Sequence, residues 1–250
     1  MRQDVIDIRD FYNGPLGRLA RRMIRRGVRM FWHDVTDMNV LGIGYATPFL
    51  EPLRGEAQRT LAFMPAQQGV LHWPTDAPNM AALADEEELP LPDVSMDRIL
   101  LVHAIETGDS LQPMLRAVWR VLAGGGRLLV VVPNRRGIWA RLERTPFGYG
   151  QPYSQAQISR LLRDNMFTPI QSLGVLFAPP TRSRMILSAA PALEEIGQRW
   201  FSHFSGLIMI EATKQIYAGT PAKVAQRERV LIPRHSPRPY PNPHMSRPDK

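Results

Sequence analysis

Three groups of residues in this chain of 250 have the types and spacing to do chemistry. The first is Gly42-Ile43-Gly44-Tyr45-Ala46-Thr47-Pro48, a run of small residues between an apolar stretch and a helix start. Glycine lets the backbone turn tightly and approach a ligand, and the first N–H groups of the helix then face it, so the segment suits an anionic group. The second is His103-Ala104-Ile105-Glu106, at the end of the apolar run Arg98–His103. An imidazole titrates near neutrality, so His103 can take a proton from a reacting group; the alternative is a strand-end histidine satisfied locally. The third lies between Asn134 and Tyr153, where Arg135 and Arg136 can meet a carboxylate or phosphate. In the same stretch Trp139, Phe147 and Tyr149 either frame an apolar body or anchor a long loop. His33, His72 and His203 show no ligand spacing and the chain has no cysteine, so no metal is assigned.

These residues need elements to position them. Asn39–Ile43, Thr60–Met64, Met80–Ala84, Arg98–His103 and Arg127–Val132 read as strands, the last two apolar enough to be buried on both faces. Thr47-Pro48 opens a helix, Ser110–Leu122 has helical periodicity and stops at Gly124-Gly125-Gly126, and Ser154–Gln157 has the form of a capping box. Two late strands, near Gln171–Phe177 and Leu207–Ala212, flank a helix at Pro191–Phe201. Strands alternating with helices predict an α/β fold, a doubly wound parallel sheet covered on both faces. Gly44 and His103 then fall at the carboxyl edge of that sheet, where ligands of open α/β folds bind.

The order of these segments resembles class I S-adenosylmethionine-dependent methyltransferases of the "type 11" branch. Asp85-Glu86-Glu87-Glu88-Leu89-Pro90, with Asp93 and Asp97 before Ile99-Leu100-Leu101, is similar to the family's acid, Leu-Pro turn and fourth strand. Arg120-Val-Leu-Ala-Gly-Gly-Gly-Arg-Leu-Leu-Val131 is similar to its "RVLKPGG" segment. Val40–Pro48 then falls on the first motif, "VLDIGCGTG", and Ile208–Lys214 resembles the last strand, which runs antiparallel. The resemblance implies a Rossmann-like sheet, mostly parallel with an antiparallel last strand, and S-adenosylmethionine as cofactor. It places Gly42, Gly44, Tyr45 and Ala46 at the cofactor, Asp85 and Glu86 near the adenine, and Met64 where the family has a carboxylate for the ribose. His103 falls beside the reacting centre, as base or as cofactor contact. Read without the resemblance, Asp85–Glu88 is a solvated acidic turn.

The chain departs from the family pattern in places that matter. Gly42 replaces the first motif's acid, Ala46 and Pro48 replace its second and third glycines, and Met64 replaces the ribose carboxylate. Charge-assisted hydrogen bonds contribute about 1.5–3 kcal/mol each, so losing a bidentate ribose clamp lowers affinity unless Gln67, Gln68 or backbone groups substitute. The same missing acid counts against a nicotinamide-dependent dehydrogenase. Among methyltransferases, an Asn-Pro-Pro-Tyr segment at the end of the fourth strand would point to nucleic-acid amines, and it is absent.

The net charge of +8 lies in the two ends. Residues 1–35 carry +4 and residues 221–250 carry +5, while residues 36–220 carry −1. Three parts are therefore expected: an N-terminal extension at 1–35 with an amphipathic, arginine-striped helix over 16–31; a methyltransferase-like domain at 36–220; and a basic, proline-rich tail at 221–250 that lacks the apolar residues to pack. No stretch of about 20 apolar residues is present and the start has no signal-peptide pattern, so a cytoplasmic protein is expected. The expected activity is methyl transfer to a small-molecule substrate. The alternatives are a catalytically inactive binding or regulatory protein on the same fold, and RNA or membrane contact through the basic ends.

Overall fold

The apolar runs become strands of one sheet because their alternate side chains supply two separate cores. In the computed structural model, which describes residues 3–108, 110–181 and 183–216, the strands are β1 (Asn39–Gly44), β2 (Arg59–Pro65), β3 (Ala81–Ala84), β4 (Met96–Val102), β5 (Leu122–Pro133), β6 (Phe167–Val175) and β7 (Leu207–Lys214). Leu100, Val102, Leu129 and Val131 point into one buried cluster, and Ile99, Leu101, Leu128 and Val130 into the other. This is the period of two that a strand imposes. The first face is covered by α1 (Val5–Asn13), α2 (Pro15–Phe31) and α3 (Thr47–Leu50), the second by α4 (Leu111–Val121) and α5 (Gln155–Asp164). Two more helices, α6 (Arg184–Ser188) and α7 (Ala190–Trp200), lie between β6 and β7 in the chain.

The strand order is β3-β2-β1-β4-β5-β7-β6. The first five strands pair in parallel, and β7 runs antiparallel to both of its neighbours. This is the expected Rossmann-like α/β sheet with an antiparallel last strand. One local expectation is corrected: the glycine trio does not stop a helix. Val121 ends α4, Leu122 is already extended, and β5 runs through Gly124–Gly126. Met96 pairs with Leu122 but Arg98 with Arg127, so the glycines fill a bulge that resets the register with β4. The sixth strand starts four residues earlier than the pattern suggests, at Phe167 rather than Gln171. Its outer face is exposed, so apolar periodicity did not mark it.

The described residues up to Phe31 build on this sheet rather than beside it. Val5, Ile8, Tyr12, Leu19, Met23 and Ile24 share a core cluster with Leu100 and Val131. The arginine stripe of α2 is partly tied down: Arg25 donates to the Pro48 carbonyl at 2.6 Å, and Arg29 donates to Pro52 O at 2.7 Å and pairs with Glu56. The basic, proline-rich tail expected at 221–250 lies outside the described residues. Among the described residues, no helix is long and apolar enough to cross a membrane.

Gly44 ends β1 with φ +80°, and a Cβ there would lie 2.2 Å from the Val102 carbonyl oxygen of β4. Gly44→Ala is therefore expected to lower stability by about 2 kcal/mol or more, from left-handed strain plus a backbone collision. Thermal or urea unfolding measures it; an unchanged midpoint contradicts this account of the turn.

Candidate active site

β1 and β4 are neighbours, but the chain leaves β1 toward β2 and β3 and leaves β4 toward β5. The carboxyl ends of this pair are thus the topological switch point, where open α/β sheets form a crevice. Tyr45 N donates to the Val102 carbonyl at 2.8 Å and closes the two strand ends together. The next residue of β4's exit, His103, has φ +53°, an uncommon conformation for a residue with a side chain. Such strain persists only where the surroundings enforce it. Here Thr107 Oγ1 donates to the His103 carbonyl at 3.0 Å, and the imidazole is held at both nitrogens. Glu106 Oε1 lies 3.0 Å from Nδ1 and the Tyr12 hydroxyl 2.9 Å from Nε2. With Glu106 ionised, Nδ1–H donates to the carboxylate and Nε2 accepts the Tyr12 proton. All three side chains are buried, at 4% exposure or less.

Tyr12 comes from α1 and fills the crevice. Its ring stacks on Tyr45 at 5.6 Å and 8°, and meets Phe49 and Phe147 edge-on at 5.5 and 6.3 Å. Phe147 also packs on the His103 ring at 5.1 Å. Burial, with Tyr45 and Glu106 nearby, pushes the Tyr12 phenol well above its ordinary value, and burial raises Tyr45 to about 12. A raised phenol pKa means the folded state holds its proton where the unfolded chain has lost it. Stability is then full below about pH 10 and falls above it, by up to about 1.4 kcal/mol per pH unit for each phenol. Unfolding by urea between pH 9 and 12 should show this slope, and Tyr12→Phe and Tyr45→Phe should each flatten it.

A second space opens beside the crevice, a cleft of about 390 Å³ beyond the ends of β2 and β3. Gln67, Asp85, Glu86, Ser110 and Met114 line it. Asp85 is exposed and its Oδ1 accepts the Glu87 N–H at 2.9 Å, so it shapes its own turn while keeping an oxygen toward solvent. Met64 does not reach this cleft: it is fully buried in the core. Gly42 and Ala46 are also buried, touching one another beneath α3. Of the residues singled out from the sequence, the fold gathers Tyr45 and His103 at the crevice and Asp85 and Glu86 at the cleft, with Gly44 at the join.

The third group divides. Trp139 is buried, its indole donating to the Ala178 carbonyl at 2.9 Å, and Phe147 packs as described, so both anchor the loop. Arg136 lines a separate polar cleft of about 490 Å³ with Asn134, Ser154, Arg163 and His203. Among the described residues, no three of His, Asp or Glu come close enough to hold a metal ion. Sequence reasoning missed Tyr12 altogether and gave Glu106 no role. The His-x-x-Glu spacing was a usable signal for Glu106, whereas nothing near Tyr12 in the chain points to β4.

The comparisons with known proteins bear on the fold that carries this site. The family described as methyltransferase domain matches residues 36–130. No curated protein matches the sequence. Among solved structures, the chain is similar to a SAM-dependent methyltransferase, possible histamine N-methyltransferase, from Thermotoga maritima, with TM-score 0.59 and 19% identity over 83% of this chain and 94% of that one. It is also similar to a SAM-dependent methyltransferase from Archaeoglobus fulgidus, with TM-score 0.56 and 16% identity over 78% and 94%. A third likeness is geranyl diphosphate C-methyltransferase from Streptomyces coelicolor A3(2), in complex with Mg2+, geranyl diphosphate and S-adenosyl-L-homocysteine, with TM-score 0.53 and 14% identity over 76% of each chain. The sheet order, the antiparallel last strand and the matched segment give this chain the Rossmann-like fold of these methyltransferases, with a methyltransferase domain matched over residues 36–130.

Proposed function

We propose that the chain transfers a methyl group from S-adenosylmethionine to a small-molecule acceptor, with His103 as the base. The observation that carries this is the buried Glu106–His103 pair at the switch point, next to a cleft that ends in an exposed carboxylate. When bound, the cofactor supplies a methyl carbon on a sulfonium, and displacement there needs alignment and a deprotonated acceptor. Glu106 holds the imidazole in the tautomer whose Nε2 can accept the acceptor's proton. The cleft fits the adenosine end: it is open, and Asp85 offers a carboxylate oxygen to an exocyclic amine. The small-molecule reading is supported by the near-neutral charge of residues 36–220, which provides no broad cationic face for nucleic acid.

Calorimetric titration with S-adenosylhomocysteine tests the cofactor assignment, and Asp85→Ala should weaken binding about tenfold or more. Absence of binding at millimolar ligand, by the wild type and by a Tyr12→Ala variant alike, overturns it. The filled crevice favours one second reading, a binding protein on the same fold without turnover. Tight cofactor binding without methyl transfer to any of a broad set of hydroxyl, amine and carboxylate acceptors would select that reading.

A further inference from the structure

We infer that α1 is an internal occupant of the crevice, and that a ligand entering between β1 and β4 must displace Tyr12. This rests on the cofactor assignment above and adds a regulation of the same site. Three observations carry it. The first is position: Tyr12 bridges Tyr45 at the end of β1 and His103 at the end of β4, so its ring fills the space at which the fold presents ligands. Its hydroxyl holds Nε2, the atom a base needs free.

The second is that this seat is incompletely satisfied. Glu106 Oε2 and both polar atoms of the Gln68 side chain are buried without a hydrogen-bond partner. Glu106 is 4% exposed and Gln68 2%. Gln68 lies against the start of α1, accepting the Val5 N–H on its carbonyl at 2.8 Å. Buried polar groups are almost always paired, and an unpaired amide and carboxylate oxygen disfavour the closed arrangement. A ligand with hydroxyl and amine groups, such as the ribose and amino-acid parts of the cofactor, can pair them where an apolar helix face cannot. Gln68 follows β2, on the side of the crevice where this chain lacks a ribose carboxylate.

The third is how α1 is attached. It is a helix of nine residues with a capping aspartate of its own, Asp4, so it keeps its internal bonds when it leaves the sheet. Gly14-Pro15 joins it to α2, and Gly14 is extended there, ending one helix and preceding the other. Displacing α1 opens its close backbone contact with α2 at Gly17, while Arg25 and Arg29 keep α2 itself bonded to the segment after β1.

The experiment compares hydrogen exchange and ligand affinity in the full chain. With saturating S-adenosylhomocysteine, amides of residues 5–13 should exchange at least tenfold faster, while those at the ends of β1 and β4 slow. Tyr12→Ala should tighten the calorimetric Kd at least tenfold. Tyr12→Phe keeps the ring but frees Nε2, and should tighten it a few-fold even if the alanine variant proves unstable. Slower exchange of α1 with ligand, together with weaker binding by either variant, would overturn the inference and make α1 a lid that closes over its ligand. Unchanged exchange and unchanged Kd would overturn it as well. In both of those outcomes the ligand binds and the cofactor assignment stands, whereas failure of every variant to bind removes both.

Discussion

Restoring the family's acid by Gly42→Asp is expected to destabilise the fold by about 4 kcal/mol or more, a large share of the ~5–15 kcal/mol that holds a domain together. A Cβ at Gly42 would lie 2.5 Å from the Ala46 Cβ and 2.6 Å from Leu50 Cδ1. Forcing atoms into such a site costs about 1–3 kcal/mol, and a carboxylate buried there without a cationic partner costs several more. Gly42→Ala isolates the steric part and should cost about 2 kcal/mol. Gly42→Asp combined with Ala46→Gly should recover part of the loss, since one of the two collisions disappears. Urea unfolding of the wild type, the Ala46→Gly single variant and these three variants measures the cycle. If Gly42→Asp alone leaves the midpoint unchanged, the packing of α3 on β1 is not what excludes the acid. The result would explain two departures from the family pattern as one: Gly42 and Ala46 are a matched pair, the missing side chain at one making room for the extra methyl at the other.

The second large effect concerns turnover. If His103 is the base, His103→Gln should lower the methyl-transfer rate 10²–10⁴-fold, the usual contribution of a positioned general base. Glutamine is chosen because its amide can still bond Tyr12 or Glu106 while accepting no proton near neutrality. Glu106→Gln should act through His103: the neutral amide no longer favours a proton on Nδ1, so the rate falls and its dependence on pH shifts, while cofactor affinity stays within a few-fold. Single-turnover rates from pH 5 to 9, beside calorimetric Kd values, separate the two roles. A His103→Gln enzyme with wild-type turnover would remove the base and leave positioning of the substrates as the source of the rate.

These expectations draw unequally on sequence and structure. The sheet was legible because buried parallel strands are nearly continuous apolar runs: Ile99–Val102 and Leu128–Val132 signal themselves with no tertiary information. The capping box at Ser154 was equally readable, and both of its reciprocal bonds are present. The bulge at Gly124–Gly126 was misread because glycine is a break signal in a helix and a permissive residue in a strand, and local chemistry does not separate the two. The exposed start of β6 left no apolar pattern to read.

For the site, sequence alone determined which strand ends lie at the ligand-binding edge of the sheet. The alternation of strands and helices put Gly44, Tyr45 and His103 at the carboxyl edge of the sheet and Asp85 just after the third strand; the strand order β3-β2-β1-β4 made β1 and β4 neighbours. Only the tertiary structure decided what occupies that convergence. Tyr12 and His103 are 91 positions apart, and their 2.9 Å hydrogen bond depends on how α1 folds back over the sheet. Such a contact is set by packing between distant segments, which no local spacing encodes. The same holds for Met64, whose residue type suggested a lost ribose contact and whose place is the hydrophobic core. Strand identity is a property of neighbouring residues; occupancy of a crevice is a property of the whole chain.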